Sequence, residues 1–178
     1  MDAECLAIRE AAFDAVLFLF VLFHIPNPIA ALQHALRAMR PGGTLGLVVW
    51  GADPGLPGGA IWREELDRLH AAEDPRDPSV MRQSWMDTPE KLRSLLEQSG
   101  FIPERVWSCR FAHQWTPSDL IATQIRCGLT SRRLDTLPSD ARKACTERVR
   151  ARLEALDPID LSYRVEAVYG LARRPDRL

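Results

Sequence analysis

FDAVLFLF, residues 13–20, is a run in which seven of eight side chains are apolar and nothing alternates. A strand with one face in water would read apolar, polar, apolar. An unbroken run reads as a strand buried on both faces, the pattern of a parallel sheet covered by helices. Working outward, Asn27-Pro28 places a capping side chain before a proline suited to the first helical position, and Ile29, Leu32, Leu36 and Met39 recur at three to four residues. The spacing predicts a helix over about 28–40, with Arg37 and Arg40 in its last turn and Pro41-Gly42-Gly43 as its stop. TLGLVVW, residues 44–50, is then a second buried strand. Strand, helix and strand joined by a tight glycine turn make half of a doubly wound α/β unit.

Further along, GADPGLPGG (51–59) is too rich in Gly and Pro for regular structure and reads as a loop leaving the second strand, where ligand crevices of open α/β sheets form. It has neither GxGxxG nor a GK[ST] ending, which removes a nucleotide hydrolase from the readings. Residues 60–72 predict a short helix and 73–87 an irregular polar connection. Thr88-Pro89 repeats the cap-plus-proline device for a helix that Gly100 ends, and a strand follows over 102–111. Thr116-Pro117-Ser118-Asp119 opens another helix with the spacing of a capping box, ending near Gly128. A longer helix is expected over about 139–156 with Cys145, Val149, Leu153 and Leu156 on one side. The last strand, 163–172, sets Tyr163, Val165, Ala167, Tyr169 and Leu171 against Arg164 and Glu166, which suits an antiparallel or edge position.

The chain has 178 residues, about one domain's worth, with 23 Lys and Arg against 24 Asp and Glu. A net charge of -1 leaves no field to recruit nucleic acid or an anionic membrane. The longest apolar run, Ala15 to Phe23, is far short of a spanning helix. The start carries Asp2, Glu4, Glu10 and Asp14 against Arg9 and does not read as a signal peptide, so a cytoplasmic location is expected. Cys5, Cys109, Cys127 and Cys145 form no CxxC, and His24, His34, His70 and His113 no HxxxH, so no metal site is expected. Between Arg126 and Arg152 stand eight basic and three acidic residues. They read either as a solvated helix face balanced by neighbouring segments or as a dock for an acidic partner.

Taken as an ordered set, Asp2-Ala3, Phe13-Asp14, His24, the helix over 28–40 and Met39-Arg40-Pro41-Gly42-Gly43 resemble the second half of the core of class I S-adenosylmethionine-dependent methyltransferases. WTPSDL at 115–120 and VEAVYGLARRP at 165–175 are similar in order to that family's variable cap and closing strands. The resemblance implies an α/β fold: a partial Rossmann-like doubly wound sheet made of the last four strands, the closing one antiparallel, with helices packed on it and a helical cap. It implies a single domain over 1–178, with a strand-helix-strand core over 1–51, a variable substrate region over 52–160, and a closing strand and tail over 161–178. The family's glycine-rich motif and the acid that holds the ribose belong upstream of the matched stretch.

The implied reaction is methyl transfer from S-adenosylmethionine to a small-molecule acceptor, completed by those upstream residues. Asp2 and Ala3 would meet the adenine, and the backbone near Phe18, Leu19 and Phe20 would border the methionine portion of the cofactor. His24, just past the first strand, is the candidate base for a hydroxyl or amine acceptor. It could equally pack beneath the crevice or bond to the following loop. Trp50, Trp62, Trp85 and Trp115 could cover an aromatic acceptor or simply pack in a core. The alternative from another class is a noncatalytic remnant, in which a second copy of the chain or another partner covers the sheet edge.

Overall fold

The computed structural model describes residues 2–52, 55–73 and 83–176. They pack as two compact units, one comprising Met1–Asp53, Asp77–Phe111 and Val165–Leu178, the other Pro54–Arg76 and Ala112–Arg164. In the first, β1 (Phe13–Leu19) leads through a 3₁₀ turn, Leu22–His24, to α1 (Pro28–Ala38) and β2 (Met39–Trp50). After α3 (Pro89–Gln98) come β3 (Ile102–Gln114) and, at the end of the chain, β4 (Ser162–Arg173). The sheet runs β1-β2-β4-β3, with β1 parallel to β2 and β2 antiparallel to β4. This is the expected partial Rossmann-like sheet with its antiparallel closing strand.

Local chemistry sets the helix starts. Asn27 Oδ1 accepts the Ala30 N–H at 3.1 Å and Thr88 Oγ1 the Lys91 N–H at 3.3 Å, each with proline in the first turn. Such a cap is worth about 1 kcal/mol. Leu32, Leu36, Leu92, Leu95 and Leu96 then fall on the inward faces and meet Leu45, Leu47, Val49, Val168 and Ala172 from the sheet in one apolar core. Each buried leucine contributes about 1.5–3 kcal/mol.

Three expectations for this unit change. The helix ends at Ala38 rather than near 40, and β2 begins at Met39. The register jumps from Phe13 opposite Met39 to Ala15 opposite Thr44, so Pro41-Gly42-Gly43 forms a bulge inside the strand pairing instead of a helix stop. β1 is not buried on both faces: Phe18 is, but Leu17 is 66% and Leu19 62% exposed. The reason is position, because β1 is the terminal strand of the described sheet. β4, suited by pattern to an antiparallel or edge position, is antiparallel to β2 and lies between β2 and β3.

The second unit is helical. It contains α2 (Gly59–Arg68), α4 (Pro117–Gln124), α5 (Gly128–Asp135) and α6 (Ser139–Glu154). Trp62, Leu66, Leu120, Ile121, Cys145, Val149 and Leu153 form its core. Thr116 caps α4 through the Asp119 N–H at 3.2 Å, while the Asp119 carboxylate accepts the Thr116 hydroxyl instead of a backbone N–H as a full capping box would have it. The stop expected near Gly128 is instead the start of α5, which the apolar spacing does not announce. α5 is fixed by the buried Arg133, which donates to Asp67 Oδ1 at 2.6 Å and to the carbonyls of Ala71 and Ala72. The irregular connection expected over 73–87 lies largely outside the described residues, apart from a 3₁₀ turn at Gln83–Trp85.

Candidate active site

Phe18, Leu19, Phe20, His24 and Trp50 stand at or just past the carboxyl ends of the parallel pair β1 and β2, and Glu4, next to Asp2 and Ala3, bonds to Asn27 just beyond them. The segment before β1 has no regular structure yet is tied down at several points. Arg37 Nη1 and Nη2 donate to the carbonyls of Ile8 and Leu6, at 3.1 and 2.8 Å, and the Ala11 and Ala12 N–H groups donate to the carbonyls of Arg37 and Ala38. Asp2 folds the chain into a turn: its Oδ1 accepts the Glu4 N–H at 2.9 Å, and its carbonyl accepts the Cys5 N–H at 3.2 Å. Ala3, half-buried, packs against the first unit's core. The Glu4 carboxylate reaches the backbone N–H of Asn27, the cap of α1.

At the strand end, Phe18 is buried in the core, so its side chain offers nothing to a ligand; only its backbone can border one. Leu19 points to the exposed side. Phe20 has φ 52°, a left-handed conformation unusual for a bulky residue. Its N–H donates to the Val48 carbonyl at 2.9 Å, and its ring lies 4.2 Å from that of Trp50, tilted by 33°. The chain therefore leaves β1 sharply while still held to β2. His24 ends the 3₁₀ turn, exposed, with its ring 4.3 Å from that of Phe23 and its N–H on the Val21 carbonyl at 3.0 Å.

The structure thus fastens the Asp2–Ala3 turn, through Glu4, to a residue three positions beyond His24. Phe20 and Trp50 form a second contact at the ends of the strands. Glu4 was not singled out by sequence reasoning; an acid one residue past Asp-Ala carries no spacing signal for a bond made 23 residues away. Of the other tryptophans, Trp62 and Trp115 pack in or against the core of the helical unit, and Trp85 is exposed. Among the described residues no cluster of His, Cys, Asp and Glu could hold a metal. No helix among them is long and apolar enough to cross a membrane.

An open α/β sheet whose candidate polar groups gather at the carboxyl ends of its parallel strands is the ground plan of a Rossmann-like ligand-binding protein. The chain belongs to the methyltransferase domain family, whose model matches residues 2–105. It is 28% identical over 108 residues to the demethylmenaquinone methyltransferase of Beutenbergia cavernae, a match covering 56% of this chain and 45% of that one. The chain thus spans about half the length of that curated relative. Its fold is similar to a candidate methyltransferase of Bacillus halodurans C-125, with a TM-score of 0.53 and 16% identity, over 98% of this chain and 76% of that one. It is also similar to the [4+2]-cyclase SpnF, with a TM-score of 0.52 and 21% identity, over 98% of this chain and 54% of that one. A cyclase among the neighbours means that the fold alone does not choose the reaction.

Proposed function

We propose that the chain is part of an S-adenosylmethionine-dependent methyltransferase acting on a small-molecule acceptor. The observation that carries this reading is that Phe18, Leu19, Phe20 and His24 stand at or just past the carboxyl end of β1 and that Glu4, next to Asp2 and Ala3, bonds to Asn27 just beyond them. S-adenosylmethionine, when bound, supplies an electrophilic methyl group. Asp2 would accept the adenine amino group on Oδ2, since Oδ1 closes its own turn. Ala3 would border the same ring, and the backbone of Phe18, Leu19 and Phe20 the methionine portion. The left-handed turn at Phe20 fits that role, because there the chain leaves β1 while its backbone is still held to β2. His24 would take the proton released by a hydroxyl or amine acceptor. Alignment is the larger contribution in such a displacement, about 7–11 kcal/mol in well-oriented systems, so the protein need supply little else. Acceptor choice falls to residues 52–160.

Four unpaired thiols, of which Cys145 alone is buried, suit a reducing cytoplasm. With a net charge of -1, neither nucleic acid nor membrane is a partner in this reading.

Calorimetric titration of the chain with S-adenosylmethionine tests the cofactor assignment. Saturable binding would mean that the chain holds the cofactor without the family's glycine-rich motif; its absence removes this chain, by itself, from the cofactor-binding proteins. Given an acceptor that the wild type methylates, His24→Ala should cut turnover at least tenfold, and unchanged turnover would discard the base.

The second reading, a noncatalytic remnant that associates with a second copy or a partner, is favoured by β1. Phe13, Leu17, Leu19 and Val21 are all exposed along or beside a terminal strand whose outer backbone groups have no partner strand among the described residues. An edge of that kind favours pairing. A monodisperse monomer in light scattering would count against it.

A further inference from the structure

We infer that Glu4 is a positioning residue of the candidate site, joining the turn that would hold the adenine to the helix start beside the candidate base. The inference rests on the cofactor reading above and adds a residue to it. Glu4 works through two groups at once. Its N–H donates to Asp2 Oδ1 at 2.9 Å, which fixes the Asp2 carboxylate within the turn. Its side-chain Oε1 accepts the Asn27 N–H, which lies ahead of the helical hydrogen-bond ladder and needs a partner from elsewhere. Asn27 is itself immobilised, its Oδ1 on the Ala30 N–H at 3.1 Å and its carbonyl on the Ala31 N–H at 3.2 Å. The turn is therefore referenced to the rigid end of α1 and, along the chain, to His24 three residues earlier.

The other ties on this segment act further along. Arg37 holds the carbonyls of Leu6 and Ile8, and the backbone of α1's last turn holds Ala11 and Ala12. None of them reaches residues 2 and 3. Among the described residues, the Glu4 carboxylate is the side-chain group that fixes this turn to another element. Removing it leaves Ala3's packing in place but frees the turn to pivot, so a ligand would have to order it on binding.

The test compares Glu4→Ala and Glu4→Gln with the wild type in calorimetric titration with S-adenosylmethionine, alongside thermal midpoints. Glutamine keeps a side-chain carbonyl at the accepting position; alanine does not. Glu4→Ala should weaken binding by about tenfold, the worth of one charge-assisted bond, while Glu4→Gln stays within about twofold. A merely structural role would lower the midpoint of Glu4→Ala and leave the affinity of the folded protein unchanged, which would overturn the inference. Equal weakening in both variants would overturn it as well, since charge and not the bond would then matter. If the wild type itself does not bind, this chain does not hold the cofactor by itself and the inference falls with that reading. Wild-type binding with an unaffected Glu4→Ala variant sinks the inference alone.

Discussion

Arg174 lies across the end of α1: its Nη1 donates to the Leu36 carbonyl at 3.0 Å and the Arg37 carbonyl at 3.3 Å, and it also contacts the Met39 carbonyl. These are the acceptors a helix end leaves unsatisfied, and a cation there also meets the negative end of the helix dipole. The same residue pairs by backbone with Gly42 and Gly43, so one arginine at the end of the chain both caps the helix and closes the bulge after it. Arg174→Ala should cost about 1–3 kcal/mol in chemical denaturation. Arg174→Lys, which keeps the charge but loses the planar fork, should recover part of it. An alanine variant as stable as wild type would show that water caps the helix equally well.

That latch also explains where the sequence misled. A helix read from periodicity alone extends to the glycines, because Arg40-Pro41-Gly42-Gly43 looks like a stop; the cap that ends it earlier comes from a residue more than 130 positions away. α5 escapes notice for the same reason, since Arg133 anchors it and an apolar stripe does not. The caps at Asn27, Thr88 and Thr116 and the two-strand parallel core were legible because each is a local signal. The candidate site rests on two kinds of signal. Asp2, Phe20 and His24 follow from an ordered pattern along the chain, whereas Glu4 and the Phe20–Trp50 contact exist only once the chain is folded.

Gly43 separates two kinds of glycine constraint. A Cβ at Gly43 would meet the Arg40 carbonyl oxygen at 2.9 Å and that of Asp14 at 3.0 Å, both backbone atoms that cannot swing aside. A Cβ at Gly46 would come 2.8 Å from Leu17 Cδ2, but that is the tip of an exposed side chain. Gly43→Ala should therefore destabilise by about 1–3 kcal/mol and Gly46→Ala by well under half of that. Equal costs in urea unfolding would mean that the bulge, and not Leu17, is the part that yields.

Glu65 gives the helical unit an acid-labile anchor. Its carboxylate is nearly buried and accepts from Arg148 at 2.9 Å, Arg68 at 2.7 Å and Arg152 at 3.1 Å. These bonds, the one from Arg148 foremost, outweigh burial and hold its pKa at about 2 instead of 4.5. Because the folded value is the lower one, this contribution is complete above pH 4.5 and disappears as the pH falls toward 2. After discounting for arginine heads that remain partly in water, roughly 2 kcal/mol is at stake. Glu65→Gln should remove this part of the acid dependence of unfolding and lower stability at pH 7. A variant with the wild-type pH profile would remove Glu65 as its source.

Cys145 stands on α6 beside this cluster, fully buried, and burial pushes its thiol pKa up. A thiol that is both inaccessible and reluctant to ionise should resist alkylation, since the thiolate is the nucleophile. Cys5, Cys109 and Cys127 are exposed. Iodoacetamide followed by peptide mass spectrometry should label those three first. Cys145 should react on the order of 100-fold more slowly, as expected when labelling must wait for an opening that costs about 3 kcal/mol. In denaturant all four should label at similar rates. Labelling of native Cys145 at the rate of the other three would mean that the α2, α4 and α6 core opens readily, and that Val149 and Leu153 beside it are not the fixed core they form in the structure.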